Sequence, residues 1–372
     1  MNHMRHPFLT LTVFCISLST SLFAQKNNDA IDIHEFEKVY ELEKLLKPID
    51  INGQIFQVHA WATDGEHIFV LNDKEVPPVK SYRLSDGQFT GGFTSKGGGP
   101  GEFQMFNRSG FGIRKGQLIV QGRKYVRLFD IQKSNDKVSL EVSKEFRVPS
   151  EAGIINSGFM LDENTLAASI MFSPKDFVTF NIREGNNNSN EEMGDFGDYP
   201  DLYPDFPTTA KHHLYTGLSD YSEDGHFLIK AYGNFPLLRL FDLENNTFSD
   251  IEFRGKNEQI SKVIPDKNDR SVGNGLDLYR YQGRVKIGGD YIVTQYEENL
   301  YKKVAMTSRG NLEAIPQADP LLLVFNLDGK LLAKLSLPDW FQKFTLTPDD
   351  RMIVFHPEIE NKLFVADLKQ FK

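Results

Sequence analysis

The chain has one cysteine, Cys15, in its first apolar stretch and none after it. Disulfides, thiolate metal sites and cysteine nucleophiles are therefore excluded from everything beyond that stretch. Neither a G-x-S-x-G elbow nor an H-E-x-x-H pair occurs, so no local motif marks a serine hydrolase or a zinc protease. An excess of positive charge is missing too: 42 Lys and Arg face 51 Asp and Glu, a formal net charge of −9. Nucleic acid is accordingly not an expected partner, because binding it rests on basic neutralisation of phosphates. Past residue 50 no long segment carries a helical period, so helical fold classes fall away.

What is present begins with "MNHMRHPFLTLTVFCISLSTSLFAQ", one arginine followed by an apolar run over residues 8–23, then Ala24 and polar sequence. That is the layout of a secretory signal peptide, residues 1–24, and the run is short for a membrane span. An uncleaved N-terminal anchor is the alternative. Apolar sequence continues past Cys15 and Phe14 precedes it, which does not fit a lipidation site. Cleavage would remove Arg5 and move the formal charge from −9 to −10. The expected product is exported, periplasmic or at the cell surface or secreted, with no transmembrane domain and monomeric.

From residue 51 one unit recurs six times. A run ending in an aromatic or small residue, then a polar and an aliphatic one, appears as "VKSYRL" at 79, "YVRLFDI" at 125, "FVTFNI" at 177, "LLRLFDL" at 237, "LLLVFNL" at 321 and "LFVADL" at 363. Ahead of each lies a polar turn and a second apolar run, as in "TDGEHIFVLN" at 63 and "TPDDRMIVFH" at 347. Tyr82, Phe129, Phe180, Phe241, Phe325 and Ala366 follow one another at 47, 51, 61, 84 and 41 residues. Such intervals suit four-stranded propeller blades of roughly 40 to 50 residues with insertions. The expected fold is an all-β, six-bladed β-propeller of four-stranded antiparallel blades over residues 51–372. The paired runs are read as each blade's second and third strands. Because the chain ends after a third strand, residues 25–50 are expected to close the last blade, with "HEFEKVYEL" at 34 as the closing strand. Residues 184–209, together with stretches near 255–275 and 298–319, are read as loops.

Between the first two blades lies "FTSKGGGPGEF", holding Gly97, Gly98, Gly99, Pro100, Gly101, Glu102 and Phe103. As a phosphate loop it lacks the Lys and Ser or Thr after the last glycine, and Glu102 would repel phosphate. Its glycines suit a chain stepping sideways to the next blade, and Phe103 and Phe106 suit packing between blades. With "GFGIRKGQLIVQGRKYVRLFDI" after it, this stretch resembles an NHL repeat. The chain is likewise similar to the TolB-like six-bladed propellers of Bacteroidetes envelopes. The close match covers one blade of about 40 residues. Met105, Phe106 and Asn107 intervene where NHL repeats often have a proline, and Gln121 and Gly122 replace the acidic residue.

Propellers bind ligands mostly at the face carrying the loops from fourth to first and from second to third strands. On that rule the candidates are Arg108, Lys124, Tyr125, Lys175, His212, His213, Tyr232, Glu297 and His356; an ordinary surface or interblade role is the alternative for each. In "KHHLY" at 211, adjacent histidines on a strand point to opposite faces, so one at most serves a given site. Asp195, Asp198, Asp201 and Asp205 lack EF-hand spacing and read as a solvated loop. The function expected is non-catalytic binding or scaffolding for a protein, peptide or glycan, with no cofactor. The alternative is a metal-dependent lactonase-like hydrolase or lyase, with a divalent cation held in the channel by residues such as His213, Glu297 and His356.

Overall fold

A computed structural model of the chain describes residues 24–27 and 30–372, apart from 54, 56, 98–101, 123–124, 135, 148–154, 171–172, 182–192, 203–210, 213, 255–263, 266–271, 274–276, 304–311, 317 and 360. Six antiparallel sheets follow one another along it. Blade one comprises Ala60–Thr63, His67–Leu71, Val79–Arg83 and Phe89–Phe93. Blade two comprises Phe106–Arg114, Gln117–Gly122, Tyr125–Ser134 and Lys137–Arg147. Blade three comprises Ile155–Met160, Thr165–Ile170, Phe177–Asn181 and Met193–Phe196. Blade four comprises Gly217–Tyr221, Phe227–Tyr232, Leu237–Asp242 and Thr247–Arg254. Blade five comprises Asp277–Gly288, Tyr291–Lys303, Leu321–Asn326 and Leu331–Ser336. Blade six takes Lys343–Leu346, Arg351–Phe355 and Lys362–Asp367 from the end of the chain and Lys47–Asp50 from its beginning.

The first strand of each blade lies beside the first strands of its two neighbours, and that of blade six returns beside that of blade one. The chain is thus a closed six-bladed β-propeller. Six apolar clusters occupy the six spaces between blades. Strand alternation feeds them: Tyr291 and Val293 enter the space toward blade six, while Ile292 enters the one toward blade four. Sheets covered on both faces carry near-continuous apolar runs, and His67–Leu71 is buried at all five positions. That double coverage is why the second and third strands stand out in the sequence.

The closing strand is not the stretch at 34. Val39–Glu41 pairs in parallel with residues 334–336 and extends the outer edge of blade five, with all three of its residues exposed. Lys47–Asp50 pairs antiparallel with residues 362–365 and completes blade six, Ile49 opposite Leu363. A closing strand must hand the chain on to the first strand of blade one, and only the later segment is near enough to do so. Ile31–Asp32 and the backbone of Ala24–Asn27 pair with the outer strand of blade four. The N-terminal stretch therefore runs along the rim of blades four, five and six.

All three stretches read as loops contain strands, the one near 255–275 only the two-residue pair Ile264–Pro265 and Val272–Gly273, the other two longer ones. Met193–Phe196 is the fourth strand of blade three, and buried Phe196 packs between Phe177 and Phe241 at 5.9 and 5.4 Å. In blade five, the long second strand pairs beyond the blade with Leu312–Pro316. Polar composition hid the first and length hid the second, because a single buried aromatic is enough to anchor an edge strand.

The glycine stretch joins blades one and two. Ser95–Lys96 and Glu102–Phe103 form a short parallel pair, and residues 98–101 lie outside the described residues. A Cβ on Gly97 would come within 1.9 Å of the Glu102 carboxylate, so a larger residue there would displace that flexible side chain. Phe103 is buried, stacks on Phe106 at 5.0 Å, and carries the Arg127 guanidinium 4.5 Å from its ring centre. Arg127 also donates to the Glu102 carbonyl at 2.6 Å. The motif's end is thereby tied to the third strand of blade two. Phe103→Ala should lower unfolding stability by about 3–5 kcal/mol, read from denaturant midpoints; a loss below about 1 kcal/mol would show that the phenylalanine does not hold the joint.

Candidate functional site

The first strands surround a cavity of about 940 Å³ to which all six blades contribute. It lies where these strands begin, the face that also carries the loops between second and third strands. Farther along the same strands a separate space of about 40 Å³ lies among Trp61, Phe111, Asp220, Tyr221, Lys286 and Ile287, a mixed polar and apolar lining. The larger cavity is a cup of a size suited to a small ligand or a chain end.

Its walls are strongly basic for so acidic a chain. Arg108, Lys230, Arg284, Lys286 and Lys343 line it, against the carboxylates Asp220 and Glu297. Local strand geometry brings each cation there. A register break between Asn107 and Gly112 turns the beginning of blade two's first strand, with Arg108, toward the mouth. In blade five, Arg284 and Lys286 alternate with Val285 and Ile287, which enter the core shared with blade four. Lys343 opens the first strand of blade six.

Several of these charges are already engaged. Buried Lys230 pairs with buried Asp176, whose other oxygen accepts from the Tyr232 hydroxyl at 2.6 Å. This trio links blades three and four and closes the cavity wall. Lys286 pairs with Asp220 at 2.8 Å, and Asp220 also accepts the Ile287 backbone N–H at 3.0 Å. The Glu297 carboxylate accepts from Gln295 at 2.5 Å and Asn299 at 2.8 Å. At the mouth, Asp73 lies 2.5 Å from His59 Nδ1 and 3.5 Å from Arg108.

Two cations remain without an acid. Lys343 donates to the backbone carbonyl of Val58. Arg284 has no side-chain hydrogen bond or ion pair among the described residues; burial alone depresses its pKa. Burial, and then the neighbouring charges of Arg284 and Arg108, bring the Lys343 ammonium down from 10.5 to about 8. Burial and the Arg108 charge likewise lower the His59 imidazole. The mouth thus gathers like charges that repel one another.

Of the residues expected from the sequence, Arg108, His212 and Glu297 line the cavity. The others described are placed elsewhere. Tyr125 is partly exposed beside Arg127, and Lys175 pairs with Asp198 at 2.5 Å. Tyr232 is fully buried in the interblade trio. His356 stacks on Trp340 at 4.4 Å, its Nδ1 accepting the Glu358 N–H at 3.1 Å. Lys124 and His213 lie outside the described residues, as does Asp205. Asp198 serves Lys175. Sequence reading missed Arg284, Lys286 and Lys343, which sit on first strands, and His59 just before one. The alternation in "RVKI" at 284 was the available signal, two cations on one face of a strand in an acidic chain.

A closed ring of six four-stranded blades around a central cup defines the class: a six-bladed propeller. Within that class, the chain belongs to the TolB-like 6-blade propeller-like family, whose profile matches residues 62–349. No curated protein matches its sequence. A member of the DUF4221 family from Bacteroides vulgatus is similar in structure, with a TM-score of 0.57 at 11% identity, covering 87% of this chain and 95% of that one. A candidate exported protein of Bacteroides fragilis is similar with a TM-score of 0.51 at 9% identity, covering 92% and 97%. At such identities the likeness concerns the fold. Among the described residues no helix is long and apolar enough to cross a membrane.

The crowding of Lys343 has a consequence for stability. Its folded-state pKa lies below its ordinary value, so the unfolded chain holds that proton more tightly, and stability from this group rises with pH between about 8 and 10.5. Lys343→Met should therefore raise the melting temperature at pH 7, by a margin that shrinks as pH climbs toward 10. Equal melting temperatures for the two proteins at pH 7 would show that the ammonium carries no penalty.

Proposed function

We propose that this protein is an exported, non-catalytic binding module that takes up part of a protein, peptide or glycan partner in the cup at its channel mouth. The cup carries this reading: about 940 Å³, walled by all six blades. A concave site with a few convergent polar groups is the usual form of a ligand site. Export rests on the signal-peptide layout of residues 1–24, which the structure does not describe beyond Ala24, and gains support from the Bacteroides fragilis neighbour. The module works as a monomer at the periplasmic or outer face of the cell. Its net charge of −9 disfavours nucleic acid.

The metal-dependent hydrolase or lyase reading has less support. It needs His213, Glu297 and His356 to converge, yet Glu297 is held by two amides and His356 is stacked on Trp340. Among the described residues no three His, Asp or Glu side chains gather as metal ligands. A thermal-shift screen against glycans and peptides tests the binding reading. Ser109, exposed on the cavity wall, accepts a blocking indole. A ligand should raise the melting temperature of the wild type, emerge chemically unchanged by mass spectrometry, and bind Ser109→Trp at least tenfold more weakly. Turnover of the ligand, or stabilisation that survives the blocked cup, would overturn the proposal.

A further inference from the structure

Resting on the reading of the cup as a binding site, we infer that its ligand is a small hydroxylated anion, a sugar carrying a carboxylate or phosphate group, with that group held between Arg284, Arg108 and Lys343. Those three cations come from blades five, two and six and line the same cavity. The charges of Arg284 and Arg108 both bear on Lys343.

The other charges of the cup cannot neutralise them. Asp220 and Asp176 are taken by Lys286 and Lys230, and the two oxygens of Glu297 accept from amides. Asp73 reaches only Arg108 and is shared with His59. Arg284 is left with five N–H donors and no acceptor among the described residues. A partly desolvated guanidinium without an acceptor is costly, and a planar oxyanion bound bidentately is its natural complement. The concave, low-dielectric wall would concentrate the attraction for such a group even though the whole chain is acidic.

The remaining wall argues for a hydroxylated ligand. Ser157, Ser169, Ser219 and Gln342 offer neutral donors and acceptors, and Leu218 and Trp61 offer apolar surface. Ring hydroxyls and a sugar's apolar face match that mixture better than a run of peptide side chains.

The test is calorimetric titration of the full chain at pH 7 and low salt with glucuronate, glucose 6-phosphate, glucose and triglutamate, followed also by tryptophan fluorescence from Trp61. Glucuronate or glucose 6-phosphate should bind at least tenfold tighter than glucose, and which of the two binds tighter separates carboxylate from phosphate. Arg284→Gln and Lys343→Gln should each weaken binding of that acid at least tenfold, while Lys44→Gln, a rim lysine, leaves it unchanged. The Arg284 side chain makes no hydrogen bond among the described residues, so its variant should melt at or above the temperature of the wild type and its loss of binding reads the site alone. Glucose binding as well as either acid, and lost in Ser109→Trp, would overturn the anionic ligand while leaving the binding cup intact. Triglutamate outcompeting both sugar acids with the same Arg284 dependence would overturn the saccharide. Absence of binding by all four probes, or binding indifferent to Ser109→Trp, would overturn this inference, and the second outcome would overturn the binding cup with it.

Discussion

The pairing of Lys47–Asp50 with residues 362–365 is the contact on which the molecule depends. Without it blade six would have three strands and an open edge along Lys362–Asp367. An unpaired edge is both unstable and prone to pairing with other chains. Because one strand comes from the beginning of the chain and three from its end, opening the ring at this seam must separate the chain's two ends. Four short hydrogen-bonded positions thus hold every blade against its neighbours.

Between blades the apolar clusters do most of the stabilising, and a few buried polar groups fix how blades sit. Arg239 grips Asp250 across blade four at 2.7 and 2.8 Å and donates to the Asp198 carbonyl of blade three at 2.7 Å. The Asp176, Lys230 and Tyr232 trio spans the same interface. Buried ion pairs of this kind add little net stability compared with apolar packing, but removing one partner strands a charge. Their value here is positional. They hold the cavity wall that Lys230 helps to form, and so join the packing of blades three and four to the shape of the cup.

At the mouth the balance runs the other way. Lys343, Arg284 and Arg108 are crowded together at a cost visible in the lowered lysine pKa, and nothing in the fold requires them there. Lower down the same first strands carry Phe111, Ile287 and Leu346, which are buried in the clusters between blades. Like charges held close repel, and the packing of the ring gains nothing from them. The glycine stretch, by contrast, belongs to the scaffold: Gly97 and Phe103 serve the joint between blades, and Arg108 just beyond them belongs to the cup.

The sequence by itself determined the number of blades and the identity of their second and third strands. Those strands are buried on both faces, so their apolar runs survive as a repeat whatever lies between them. It also determined that Phe103 would pack at the first joint. It did not determine which segment closes the ring, since an edge strand such as Lys47–Asp50 buries little and reads like a loop. Of the cations at the mouth it pointed to Arg108 but not to Arg284 or Lys343, which lie on first strands whose channel-facing positions show no apolar repeat. Only closure of the ring brings residues so far apart in the chain around one cavity, and that gathering cannot be read from any one local stretch.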